Sequence, residues 1–289
     1  MQQCLRVVVP HAEAVDDPFE MVRPKKSLGQ HFLCDDFIAR KIVSIVSPQS
    51  GDVLLEIGPG EGALTRHLVR PGARLIVVEV DRRITERLRE TYPADAIDVI
   101  AGDILETDIA GVARSAVASP GGKLRVVGNI PYNITTPILF HLLQHRMSVA
   151  DATLTMQKEV AQRVIAGPGS KEYGILSIFC QLYAECTFLF EVPPSAFAPE
   201  PKVRSAVIQM QLSTEPRYPL PDEELFRTMV RAIFGRRRKT LRNSLRHLVG
   251  DGVVNLEGDI DLGRRPEELS LRELAGLSSL LSDKLARRS

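Results

Sequence analysis

The chain has 289 residues, 44% of them hydrophobic, and a net charge of +1, enough apolar material for one large domain plus a smaller one and no global charge to recruit a polyanion. Its four cysteines, Cys4, Cys34, Cys180 and Cys186, show no CxxC spacing, which argues against a metal site and a disulfide scaffold and makes a reducing cytoplasm the simplest setting. No apolar run approaches the roughly 18 to 20 residues that span a bilayer, so no membrane partner is expected.

Residues 1–22 read as a poorly ordered tail. Glu13, Asp16, Asp17 and Glu20, and the lack of an apolar h-region, oppose both a signal and a transit peptide, and Met21 offers an alternative start. From Arg23 the composition changes. RPKKSLGQHFL is either a solvated lead-in to a packing helix or a lid over a ligand, with Lys25 and Lys26 near a polyanion. Asp35 is placed to cap a helix whose apolar positions are Phe37, Ile38, Ile42, Val43 and Val46.

Val53 to Gly62, VLLEIGPGEG, reads as a buried strand, a tight loop and a helix start. Glycines at 58, 60 and 62 suit a backbone that must turn sharply and approach a ligand closely. Two ligand classes use such a turn. In the dinucleotide fingerprint, helix N–H groups receive a pyrophosphate. Here Pro59 removes one N–H donor and Glu56 puts a carboxylate at the strand end. That combination disfavours NAD and suits a cationic ligand such as S-adenosyl-L-methionine, which carries a sulfonium and an amino group.

Further short apolar runs follow, RLIVVEV (74–80), IDVIA (97–101), LRVV (124–127) and ATLTM (152–156), with helix-like spacing over 82–91, 106–118 and 137–146 between them. This alternation implies a doubly wound parallel sheet whose ligands sit at the carboxyl ends of its strands. Glu79, about twenty residues past the glycines, stands where an acid normally accepts the ribose hydroxyls; it is otherwise a cap or a loop acid. Asp103 either accepts from an adenine amino group or caps the next helix. The fourth strand ends in Asn129-Ile130-Pro131-Tyr132.

N-methylation of an exocyclic base amine gives that last segment a purpose. The amine lone pair is conjugated into the ring, so a site must hold its protons with acceptors set off the ring plane. The Asn129 carbonyl oxygen and a backbone carbonyl of the Ile-Pro segment supply two, and proline fixes the carbonyl direction. Tyr132 offers a stacking face worth roughly 1–3 kcal/mol. Downstream, 158–166 and 173–183 look helical and 187–192 strand-like. Phe197, in the proline-rich SAFAPEP, either plugs the core or forms a base clamp opposite Tyr132. VRSAVIQMQL (203–212) reads as a last strand at the antiparallel edge of the sheet. Beyond Ser213 the pattern becomes helical, over 222–234, 239–249 and 271–285. No acid occurs between Glu224 and Asp251, while Arg227, Arg231, Arg236, Arg237, Arg238, Lys239, Arg242 and Arg246 do, a patch suited to phosphates.

Taken in order, KKSLGQHFL, LLEIGPGEGALT, VVEVD, GDIL, GNIPYNITTPILFHLL, MQKEVAQRV, GSKEYGILSI, VPPSAFAPEPKVRSAV and RRRKTLRNSL resemble the dimethyladenosine transferases of small-subunit ribosomal RNA, from Arg23 to about Leu285. The resemblance implies a class I methyltransferase, a Rossmann-like doubly wound α/β sheet with an antiparallel last strand, over 23–212, and a small all-α rRNA-binding domain over 213–289. It implies that His31, Leu33, Gly58, Glu79, Asp103 and Asn129 line an S-adenosyl-L-methionine site. Asn129, Pro131, Tyr132 and Phe197 would hold the target adenine, and Lys25, Lys26, Arg236, Arg237, Arg238, Lys239 and Arg242 would meet RNA. His31 departs from the commoner Asn of the family. The implied reaction is dimethylation of two adjacent adenines in the 3′-terminal hairpin loop, by a monomer acting on an immature 30S-type particle. Competing readings are a large-subunit methyltransferase of the macrolide-resistance type, a non-catalytic nucleic-acid-binding relative and an NAD-dependent oxidoreductase. GSKEYGILSI and RRRKTLRNSL favour the small-subunit branch.

Overall fold

Strands that are apolar on both faces are stable only when helices cover the sheet from either side, and this chain folds that way. The computed structural model describes residues 22–25, 28–117, 122–237, 239–249 and 260–286. The expected tail up to Met21, together with Lys26 and Arg238, lies outside the described residues.

In chain order the first half comprises β1 (Phe32–Leu33), α1 (Asp36–Val46), β2 (Val53–Ile57), α2 (Thr65–Leu68), β3 (Arg74–Glu79), α3 (Arg82–Thr91), β4 (Ile97–Ala101), α4 (Ile109–Ala116) and β5 (Leu124–Asn129). There follow α5 (Thr135–Gln144), β6 (Val149–Gln157), α6 (Lys158–Ile165), α7 (Ile175–Tyr183), β7 (Ala184–Val192), β8 (Phe197–Ala198) and β9 (Ser205–Leu212). Among the described residues, three α-helices follow, α8 (Glu223–Phe234), α9 (Leu241–Val249) and α10 (Leu271–Ala286).

Among the described residues the main sheet runs β4-β3-β2-β5-β6-β9-β7, parallel from β4 to β6, with β9 antiparallel to both of its neighbours. The doubly wound sheet is as expected, but β9 is not its edge. Ala206, Val207, Ile208 and Met210 are fully buried, so β9 needs cover on both sides, and β7, with Glu185, Thr187 and Glu191 exposed, takes the edge instead.

The two faces carry separate apolar clusters. On one, Leu54, Leu75, Val77 and Val127 meet α1, α2, α3 and the small β1–β8 ladder. On the other, Leu55, Ile76, Val126 and Leu154 meet α4 to α7. Asp35 caps α1, accepting from Ile38 N at 3.1 Å, and Ile38, Ala39, Ile42, Val43 and Val46 are buried. Phe37, expected in that set, is 76% exposed, because its neighbours already fill the helical stripe. Similarly, α4 starts at Ile109 and not near Glu106, since a turn closes from Glu106 N to the Asp103 carbonyl and the Asp108 side chain caps Gly111 N at 2.9 Å.

The second apolar cluster does not stop at Ser213. Phe226, Met229, Val230 and Ile233 of α8 and Leu274, Leu277 and Leu281 of α10 belong to the same cluster as Leu139 and Phe179. The Phe226 ring meets Phe179 edge-on at 6.1 Å. The helical part therefore shares the interior of the sheet's helix layer.

Candidate active site

The carboxyl ends of β2, β3, β4 and β5 open into one cleft, whose lining includes His31, Gly58, Glu79, Asp103, Asn129, Pro131 and Tyr132. Seven residues singled out from widely separated segments thus converge. Glycine is required at two places. Gly60 has φ +53°, and a Cβ there would lie 2.8 Å from the Phe32 ring. Gly128 brings β5 so near β2 that a Cβ would sit 2.5 Å from the Ile57 carbonyl oxygen.

Glu79 ends β3 almost fully buried, and Oε1 accepts from Asp81 N at 2.9 Å. Burial raises its pKa. Beside it, Asp81 is held well below the usual carboxylate range, first by the Arg83 guanidinium at 2.6 Å and then by Lys25 at 3.2 Å. Lys25, expected near RNA, has its ammonium on Asp81 with the side chain about half exposed. Asp103 Oδ1 accepts from Leu105 N at 2.9 Å, and since Asp108 caps α4, Asp103 is left facing the cleft.

Glu56 was expected to present an anion to the ligand. It does not. The side chain is buried beneath the glycine loop, where Oε2 accepts from Thr65 Oγ1 at 2.8 Å, and burial pushes its pKa up to about 8, with the nearby Glu79 adding to the rise. Glu56 is mostly protonated at neutral pH, so it braces the loop as a neutral group. The carboxylates that face the cleft are Glu79 and Asp103.

At the end of β5 the Asn129 amide is oriented by its donors. Nδ2 donates to the His31 carbonyl at 2.8 Å, a bond only the NH2 end can make. Oδ1 is buried and has no partner. Pro131 O accepts from Thr135 Oγ1 at 3.0 Å and from Ile134 N at 3.3 Å, starting α5. The Tyr132 hydroxyl and Ser205 Oγ are 2.5 Å apart, which fixes the phenol ring against β9. His31 stacks on that ring, centroids 5.2 Å apart and planes 26° apart, and its Nδ1 donates to the Pro199 carbonyl at 2.7 Å.

Two expected contacts are absent from the cleft. Phe197 is 2% exposed within the first apolar cluster and paired in register with Leu33, so it plugs the core and forms no clamp opposite Tyr132; His31 takes that place. Leu33 is buried beneath the glycine loop, where it shares a small space with Gly58, Gly60 and Asn129, the cleft's own residues. Sequence reasoning missed Ser205 and Phe32. Phe32 lay inside a quoted motif, but Ser205 carried no local signal because strand pairing alone brings it to Tyr132.

Of the basic patch, Arg236 and Lys239 are exposed and Arg242 is half-buried. Arg237 bonds to Glu267 Oε2 at 3.1 Å and to the Ser170 carbonyl at 3.2 Å, so it ties these loops together. Arg227 pairs with Glu224 at 2.7 Å. Among the described residues no cluster of three or more metal-ligating side chains occurs, and no helix is long and apolar enough to cross a membrane.

A family model for ribosomal RNA adenine dimethylase matches residues 21–276. The chain belongs to the ribosomal RNA adenine dimethylase family. Relatives of this dimethylase family include ribosomal RNA small subunit methyltransferase A of Laribacter hongkongensis, 44% identical over 90% of this chain and 97% of that protein. The protein of the same name from Chromohalobacter salexigens is 41% identical over 94% and 96%. Among solved structures, a dimethyladenosine transferase from Plasmodium falciparum superposes with a TM-score of 0.68 at 26% identity, covering 87% of this chain and 97% of that one. The 23S rRNA methyltransferase ErmE gives 0.63 at 27% identity, covering 85% and 99%.

Proposed function

We propose that this chain transfers methyl groups from S-adenosyl-L-methionine to N6 of two adjacent adenosines in the 3′-terminal hairpin loop of small-subunit ribosomal RNA. The observation that carries the reading is Asn129 Oδ1: a buried acceptor, held by an amide whose other end is spent, is waiting for a donor. An adenine amino group supplies one.

The cleft suits the cofactor. Glu79 offers acceptors for ribose hydroxyls and Asp103 for an adenine amino group, while the glycine loop keeps the floor free of side chains. When bound, S-adenosyl-L-methionine supplies a methyl group already activated by its sulfonium. The protein's task is then to orient and prepare the amine. Asn129 Oδ1 accepts a hydrogen bond from one N6–H. Because the Pro131 carbonyl is occupied by Ile134 and Thr135, the Ile130 carbonyl is the second acceptor. Tyr132 carries the base on the face now covered by His31, and Phe197 acts from the core by fixing the wall to which Leu33 belongs. A monomethylated amine keeps one proton for these acceptors; a dimethylated one has none, which ends the reaction.

Arg236, Lys239 and Arg242 would meet the RNA backbone. The substrate we assign is an immature small-subunit particle, met by a monomer in the cytoplasm. The small-subunit relatives, at 41% and 44% identity, outweigh the likeness to ErmE at 27%. The test is transfer of labelled methyl to small subunits from a strain lacking the modification, with the product identified by mass spectrometry as N6,N6-dimethyladenosine. Asn129→Ala should lower turnover by about 10²–10³-fold, as loss of a positioned polar group does, while particle binding is kept. Unlabelled subunits with the wild-type protein, or wild-type turnover in Asn129→Ala, would overturn the reading.

A further inference from the structure

Beside Tyr132 the sheet carries a charged cluster that the cleft does not use. Ser205, which holds the Tyr132 hydroxyl, is paired in register with Gln157 of β6 and with Val192 of β7. Lys158 follows Gln157, Arg204 precedes Ser205 and Glu191 precedes Val192, so the ends of three neighbouring strands each carry a charged residue one position from the level of Ser205. The three meet. Lys158 Nζ lies 2.6 Å from Glu191 Oε1, Arg204 Nε lies 2.9 Å from Glu191 Oε2, and Lys158 N donates to the Arg204 carbonyl at 3.0 Å.

Two cations on one carboxylate leave a positive charge in excess at the cluster itself, while beyond it the exposed Lys202 is matched by the exposed Glu200 and Glu159. Arg204 meets Glu191 through Nε, and a guanidinium has four further N–H donors in the same plane. All three partners remain partly open to water, so the cluster contributes little to stability. Val203, between Lys202 and Arg204 in the chain, is exposed although apolar. A planar donor fork, an ammonium and a surplus charge at the rim of a base pocket match the backbone phosphate that an extruded nucleotide brings with it.

We propose that Lys158 and Arg204, poised on Glu191, form a phosphate clip that grips the single-stranded RNA backbone next to the adenine held at Tyr132. The clip rests on the methylation reading above. Glu191 fixes the two cations in place and competes with the phosphate, so release after transfer remains fast.

Binding of undermethylated small subunits to the full chain, followed across roughly 50 to 200 mM salt, tests it. Lys158→Gln with Arg204→Gln should weaken binding about tenfold and flatten the log–log salt slope by about 1.4, two single-strand contacts at roughly 0.7 each. In turnover the loss should appear in the KM for the particle, and affinity of the isolated protein for S-adenosyl-L-methionine should be kept. Glu191→Gln should act with the opposite sign, tightening binding a few-fold and steepening the slope. A misfolded protein does not bind more tightly, so this variant distinguishes a clip from a merely structural tie. If both variants bind like the wild type while the wild type methylates the particles, the clip is refuted and methylation stands. If the wild type methylates no particle, the methylation reading falls first and the clip falls with it.

Discussion

At Asn129 the two ends of one amide have different fates: the NH2 end is anchored to the His31 carbonyl and the oxygen is buried without a partner. A carboxylate in its place would keep an acceptor but could not donate to His31. It would instead set a negative oxygen against a carbonyl. Asn129→Asp should therefore be nearly as slow as Asn129→Ala, about 10²-fold below wild type; steady-state rates of the two variants measured together check this, and an Asp variant near wild-type rate would remove the anchor from the mechanism. Glu56 gives a pH prediction with a definite sign. Its folded pKa of about 8 lies above the ordinary 4.5, so between these values the unfolded chain has lost a proton that the folded one still holds. Stability from this site falls as pH rises through that window and levels off above it. Glu56→Gln should flatten the decline and raise the melting temperature at pH 8 relative to pH 5. Parallel melting curves for variant and wild type at both pH values would refute it.

At the scale of elements, α1 separates periodicity from composition. Phe37 and Ile38 are adjacent and both apolar, yet one is exposed and the other buried. Phe37→Ser should change unfolding free energy by no more than about 0.5 kcal/mol, whereas Ile38→Ala should cost roughly 2–5 kcal/mol; denaturant titration of both decides, and equal losses would contradict the placement. The strand ends were legible because each apolar run stops where a glycine or polar residue begins, and a doubly wound sheet puts those stops on one side. Thus Gly58, Glu79, Asp103 and Asn129 were found from local pattern alone. The position of β9 was not, since its insertion between β6 and β7 depends on pairing with residues 48 to 60 positions away in β6 and 13 to 28 away in β7, which no local periodicity records. Phe197 and Glu56 failed for a related reason: residue type announced an aromatic and an acid, but burial decided that one would pack and the other stay neutral.

For the whole molecule, the cationic stretch near the start of α9 divides into two jobs. Arg237 joins Glu267 to the loop at Ser170, while Arg236 and Lys239 point to solvent. Arg237→Ala should lower the melting temperature by about 2–4 °C, corresponding to about 1 kcal/mol in a chain of this size, and leave the salt slope of particle binding nearly unchanged. Arg236→Glu with Lys239→Glu should do the reverse, with weaker, less salt-sensitive binding and little change in melting. Calorimetry and filter binding on the same preparations would expose an exchange of these effects. The apolar cluster that runs unbroken from the sheet's helix layer into α8 and α10 sets one last property. Packed in one cluster, the cleft and the cationic end should keep a set span, like the jaws of a caliper. An RNA hairpin lengthened between tip and shaft should then bind more weakly, which filter binding of such hairpins checks.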